Sequence, residues 1–305
     1  MIHYDTVFPP GEAKRRPFHM QGDRVYGPGV ADAKGGAVII LYAIQMLEDL
    51  NVDGYGKLTV LFNPDEETGS FGSRDLIKKL ASRSDYVLSY EPPDRQGVTV
   101  QTNGITQLML KVIGRASHAG QAPEEGRNAA IEIAHQLLQL NQLGDPDKGT
   151  TVNWTIVRAG NKTNIIPALA TAEADMRSTD LTETKRVLRD ARRIVQDHLI
   201  PNTKVEVSIA RSRPPLLKNS ASLKLAAIAR KIYQDIGSEL DPITMRFGTD
   251  AGYAYQADGT RPAVLETLGI VGGGLHSPQE FAKVSSLAPR LYLTTRMIIA
   301  LSRND

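Results

Sequence analysis

Apolar residues recur at helical spacing over residues 35–50 (GGAVIILYAIQMLEDL), and a short β-branched run follows at 58–62 (LTVLF). That run reads as a buried strand, ended by Asn63-Pro64-Asp65 because proline cannot donate to a sheet ladder. A second helix signal begins at Ser73, a residue type suited to an N-cap, and Tyr86 to Tyr90 (YVLSY) is the next strand. Strand and helix in alternation predict an α/β fold: a mainly parallel sheet covered by helices on both faces.

From Gly104 the period changes. ITQLMLKVIG alternates apolar and polar positions, as a strand with one wet face does. A helix over about 126–143, the strands TVNWTIVRAG and ATAEADMRS, a long helix over 180–198 and the strand TKVEVSIAR follow. These elements predict an inserted α+β domain at 104–214, with about four antiparallel strands and two helices. Past Arg213-Pro214-Pro215 an amphipathic helix (ASLKLAAIARKIYQDIG), a buried strand at 262–268 and a closing helix at 285–301 restore the α/β style. The outer domain is therefore discontinuous, 1–103 and 215–305.

At 305 residues the chain can hold one large domain or two ordinary ones, and 41% hydrophobic with 23% charged residues is a globular composition. A formal charge of +2 favours no nucleic acid or other polyanion. No apolar run reaches the roughly 18 residues of a membrane span, and no export signal opens the chain, so the cytoplasm is the default location. The abrupt start within a strand-like run (Met1 to Val7) points to an upstream segment. Zero cysteines exclude disulfides, thiolate metal sites and a cysteine nucleophile.

Glu66-Glu67 is the most informative pair. It lies just past a strand, where open α/β sheets keep their ligand sites, and it sets a candidate general base beside a candidate metal ligand; a solvated acidic loop is the bland alternative. His3 and Asp5 are two apart on a strand, so both project to one face, as a ligand and its orienting carboxylate would. Asp32 stands between a Gly-Pro turn and a glycine pair that opens a helix, which also suits an N-cap. Glu91 ends YVLSY, and His276 follows three successive glycines in GIVGGGLHS. Together these residues make a nitrogen and oxygen ligand set for one or two borderline metals, with zinc the leading choice. A magnesium phosphatase site fits less well, since histidine ligands suit zinc and no phosphate-cradling glycine loop with lysine is present.

The phrases HYDTV, YGPGVADAKGG, LFNPDEETGSFGSRDL, SYEP, GRASHAG, NWTIVRAGNKTNIIPA, ADMR and LGIVGGGLHS carry a resemblance through the whole chain. It resembles the glutamate carboxypeptidase (carboxypeptidase G) family and its dizinc relatives, the acetylornithine deacetylase, succinyl-diaminopimelate desuccinylase and aminoacylase group. The resemblance implies that Asp32 bridges two zinc ions, with Glu67 and His276 completing one site and His3 and Glu91 the other. Cobalt or manganese would be substitutes. It further implies Glu66 as general base, Asp5 as the residue that orients His3, and a cis peptide after Asp32. The inserted domain would be a lid and dimerisation domain, giving a homodimer. Its His118 would stabilise the oxyanion in the partner's site, while Arg177 and Asn164 would hold the substrate's free α-carboxylate.

The activity so implied is zinc-dependent hydrolysis of the amide bond to a C-terminal amino acid, glutamate among the candidates, in a small peptide or N-acyl compound. Deacylation of N-acyl amino acids by the same mechanism is the alternative, as is an inactive fragment that dimerises and binds ligand. Two departures accompany the resemblance. The family has a further stretch before the His3 strand, so a sheet edge is expected to lie bare here. RFGTDAGY (Arg246 to Tyr253) has one glycine before Thr249-Asp250 where relatives have two or more, which leaves side-chain selectivity open; Asp250 itself reads as structural.

Overall fold

In the computed structural model, which describes residues 1–255 and 261–302, Met1–Thr102 and Leu216–Asp305 pack into one unit and Asn103–Pro215 into a second. The first unit mixes strands with the helices Lys34–Asp49, Arg74–Ala81, Ser220–Gln234 and Leu287–Ser302. Ile39, Ile40, Ala43 and Leu47 recur on one side of the first of these helices and are buried. Ile39 and Ile40 share a core with Leu225 and Ala229, with Leu293 and Met297, and with the strand residues Val98, Val100 and Leu265. Each large side chain so buried contributes about 1.5–3 kcal/mol.

Parallel pairing is present but is not one continuous sheet. Among the described residues it occurs as three short pairs: Ile2–His3 with Phe62–Asn63, Tyr86–Leu88 with Ala263–Leu265, and Val98–Gln101 with Pro242–Thr244. The unit also holds a four-stranded sheet in the order Gly272–Gly273, Phe281–Lys283, Arg24–Tyr26 and His19–Gln21, all antiparallel. Strands of two or three residues carry too little periodicity to be read from sequence.

The expected buried strand at 58–62 is likewise different. Only Phe62 of that run is in a strand, and Leu58 and Val60 are each 37% exposed. They line a cavity of about 930 Å³ with Ile40, Ile77, Tyr86 and Ile298. An apolar run reports hydrophobicity, whereas burial needs neighbours on both faces, and residues 58–61 lie outside any strand, with Leu61 meeting the sheet through one bond, from Ile2 N–H to its carbonyl. Ser73 does stand at the start of its helix, but without capping it: its hydroxyl donates to Asp65 (2.6 Å), whose carboxylate also accepts the N–H groups of Gly72 and Ser73.

In the second unit the strands lie in the order Lys204–Arg213, Gly104–Ile113, Leu169–Ser178 and Thr151–Ala159, each antiparallel to its neighbour. Along Gly104–Ile113 the alternation is plain, with Leu108, Leu110 and Val112 buried and Lys111 and Ile113 exposed. Ile133 and Leu140 of the helix Ala129–Leu140, with Val187 and Ala191 of Leu181–Ile194, join that buried face. Asn128 and Asp180 cap these helices, accepting backbone N–H groups on their side-chain oxygens.

Candidate metal centre

Strand ends and tight turns deliver the charged side chains. Ile2–His3 runs parallel to Phe62–Asn63, so His3 and the loop carrying Glu66 and Glu67 leave the pair side by side. Asp32 lies in the turn before helix Lys34–Asp49, and the Asp32–Ala33 peptide is cis. Glu91 follows Tyr90, on which two glycines close in: a Cβ on Gly36 or on Gly269 would overlap the Tyr90 carbonyl oxygen. His276 has φ 59°, a left-handed backbone uncommon outside glycine and characteristic of functional sites.

The five residues singled out as ligands meet in two clusters that share Asp32. His3, Asp32 and Glu91 form one, and Asp32, Glu67 and His276 the other; within each, the ligand atoms lie within 4.8 Å of one another. His3 Nε2 is 3.0 Å from Asp32 Oδ1 and 3.4 Å from Glu91 Oε2. His276 Nε2 is 3.1 Å from Asp32 Oδ2 and 3.3 Å from Glu67 Oε2. Each oxygen of Asp32 thus faces one histidine.

Asp5 organises more than the imidazole. Its backbone carbonyl oxygen is 3.1 Å from His3 Nδ1 with carboxylate Oδ1 beside it at 3.2 Å, and its two carboxylate oxygens accept the backbone N–H groups of Glu66 (3.2 Å) and Glu67 (3.0 Å). One residue therefore holds the His3 ring, mainly through its carbonyl oxygen, and the acidic pair through its carboxylate. Asp250, whose sequence context suggested a structural part, holds the same loop by accepting from Asn63 Nδ2 (2.6 Å) and from the Ser70 hydroxyl.

Crowded carboxylates dominate the electrostatics. Burial disfavours charge on His3, yet Glu91, Asp32 and Glu66 outweigh it and push the imidazole up to about 12. Hydrogen bonds to Asp32 and Glu67 raise His276 to about 10. Asp32 is held down to about 2, burial being overcome by its bonds from His276 and His3, whereas burial drives Glu91 well above the usual carboxylate range. This surplus of anionic oxygen around two imidazoles suits divalent cations. Glu67 Oε1 is buried and without a hydrogen-bond partner among the described residues, an acceptor that a cation would satisfy. With no cysteine in the chain, the donors here are imidazole and carboxylate, a set that fits zinc.

His118, Asn164 and Arg177 belong to the second unit. His118 is exposed on the strand Ser117–His118, which pairs with Ile165–Ile166, and the Ala119 N–H donates to the Asn164 carbonyl oxygen, so these two lie close together. Arg177 lies on Leu169–Ser178, its guanidinium bound in bidentate fashion by Asp175 (2.7 and 3.0 Å). Two buried carboxylates had escaped the sequence reading. Glu266 accepts the N–H groups of Glu91 (3.2 Å) and Thr267 (2.6 Å) and the Thr249 hydroxyl (2.7 Å). Glu280 accepts three N–H groups from residues 29–32. A charged residue inside the apolar run PAVLETL was the one available hint for Glu266; Glu280 offered none.

Residues 1–300 match the description of Peptidase family M20/M25/M40. Carboxypeptidase G2 of Pseudomonas sp. (strain RS-16) is 40% identical over 304 residues, covering 99% of this chain and 73% of that protein. Acetylornithine deacetylase of Salmonella typhimurium is 26% identical, over 97% of this chain and 78% of the relative. Among solved structures, a tripeptidase from Staphylococcus aureus superposes with a TM-score of 0.81 at 22% identity, covering 99% of this chain and 80% of the other. An M20 family metallo-carboxypeptidase from Sulfolobus solfataricus gives 0.71 at 19% identity, over 99% and 84%. With a family match along nearly its whole length, the chain belongs to peptidase family M20/M25/M40 and is a metallopeptidase-type hydrolase.

Proposed function

We propose that this chain is a zinc-dependent carboxypeptidase or amidohydrolase that cleaves the amide bond to a C-terminal amino acid, glutamate first, in a small peptide or N-acyl compound. The observation that carries the reading is the pair of ligand clusters meeting at Asp32. His3 and Glu91 would hold one zinc ion and Glu67 and His276 the other, with Asp32 serving both. Zinc held there would supply a water whose pKa falls to about 7 and would polarise the amide carbonyl.

The remaining work falls to the chain's own side chains. Glu66, on the loop that Asp5 tethers, takes a proton from the attacking water and returns it to the leaving amine. The Asp5 carbonyl oxygen, with its carboxylate alongside, accepts from His3 Nδ1, which fixes the tautomer that leaves Nε2 for the metal. The second unit serves as lid and as the surface through which two copies associate. His118 Nδ1 accepts the N–H groups of Gly120 and Gln121, which puts the proton on Nε2 as a donor for the oxyanion. Arg177, with Asn164, binds the substrate carboxylate by exchanging Asp175 for it.

The test is zinc content and turnover of an N-acyl-glutamate, set beside a panel of N-acetyl amino acids, for the parent and Glu66→Ala. About two zinc ions per chain, with hydrolysis that needs Glu66 and favours glutamate, support the proposal. Turnover of acetylated amino acids alone moves the substrate to the deacylase class, and zinc binding without any amide cleavage sinks the substrate assignment.

A further inference from the structure

Glu280 is 1% exposed and takes no part in the proposed chemistry, yet it is bonded to the turn that carries Asp32. Its Oε1 accepts the N–H groups of Ala31 and Asp32, both at 3.0 Å, and its Oε2 accepts the N–H of Gly29 at 2.8 Å. A buried carboxylate is stable only when such bonds replace its hydration, and three charge-assisted bonds do so here. The N–H groups converge because the backbone curls through Gly27 (φ 150°) and Gly29 (φ 77°), forming a concave nest for an anion.

We propose that Glu280 is a positioning residue for metal binding, fixing the 29–32 turn so that each oxygen of Asp32 faces one histidine. The inference rests on the two-zinc reading above. Glu280 stands four residues beyond His276, so one stretch of chain both supplies a ligand and clamps the turn of the ligand that the two clusters share. Glutamine in its place keeps the size but turns an NH₂ group toward backbone N–H donors. Donor then meets donor, and the turn loses part of its anchor. Residues that orient metal ligands in this way typically govern affinity about 10- to 100-fold.

The experiment is a zinc titration of the full chain against a competing chelator for the parent, Glu280→Gln and Glu280→Asp, with hydrogen exchange followed in the metal-free proteins. Glu280→Gln should bind zinc about 10- to 100-fold more weakly, with faster exchange confined to residues 29–32. Glu280→Asp, which keeps the anion but shortens the reach, should fall between; it carries the same comparison if Glu280→Gln does not fold. Parent-like affinity in both variants overturns the inference while leaving the zinc reading intact. Weaker zinc binding with exchange raised across the whole first unit also overturns it, because the carboxylate would then serve general stability. A parent that binds no zinc removes the two-zinc reading and this inference with it.

Discussion

Asp5 ties several parts of the centre together, since its carbonyl oxygen holds the His3 ring, its carboxylate lies beside that ring, and the same carboxylate accepts the N–H groups of both Glu66 and Glu67. Asp5→Asn should therefore weaken zinc binding about 10- to 100-fold and also lower turnover at saturating zinc, because the base is displaced along with the ligand. Glu66→Gln should behave differently: zinc content unchanged, kcat lower by about a hundred- to ten-thousand-fold. Protons compete with metal at both histidines. In the metal-free protein the neighbouring carboxylates push His276 and His3 well above the usual imidazole range, so at neutral pH both must lose a proton to become ligands. Zinc affinity should accordingly rise with pH between about 6 and 8, below the range where hydroxide competes for zinc, and calorimetry in buffers of different ionisation enthalpy should record proton release. An affinity that falls over that range would contradict the assigned ligands. The ligand candidates were legible in the sequence because turn chemistry and strand ends mark them locally. Glu266 and Glu280 were not, because they bind backbone N–H groups, which almost any residue supplies and no motif records.

Elements rather than single side chains set the depth of the Glu91 cluster. The start of helix Lys34–Asp49 and the segment after Ala263–Leu265 both press on the Tyr90 carbonyl through glycines, Gly36 and Gly269. Gly269→Ala should destabilise the protein by about 1–3 kcal/mol, seen as a lower melting temperature, and should weaken zinc binding because Glu91 adjoins the displaced carbonyl. A variant that melts like the parent would show that the segment yields freely. Long helices and alternating strands were readable: 104–113 shows the wet and dry faces that its sequence spells, and the helices at 34–49 and 287–302 fall close to their expected limits. The antiparallel sheet built from 19–26 and 272–283 was not, since its strands are two or three residues long and pair across the chain. The 58–62 run misled for a related reason, its apolar character saying nothing of what lies beside it.

At the scale of the molecule, every zinc ligand candidate lies in the first unit, which is assembled from two separated stretches of chain. Zinc at a thousand times its dissociation constant would stabilise that unit by about 4 kcal/mol. Hydrogen exchange should then slow around residues 2–5, 27–36, 62–67 and 269–280 while the strands 104–113 and 169–178 keep their rates; uniform protection would contradict a centre confined to one unit. The long separation also sets an order of events. Asp32 and Glu280 are 248 residues apart, with the whole second unit between them. During synthesis the early ligands emerge from the ribosome long before His276 exists, and contacts of such high sequence separation form late. On the two-zinc reading the centre would therefore be among the last features completed: a chain ending before residue 276 would lack a ligand of the second cluster.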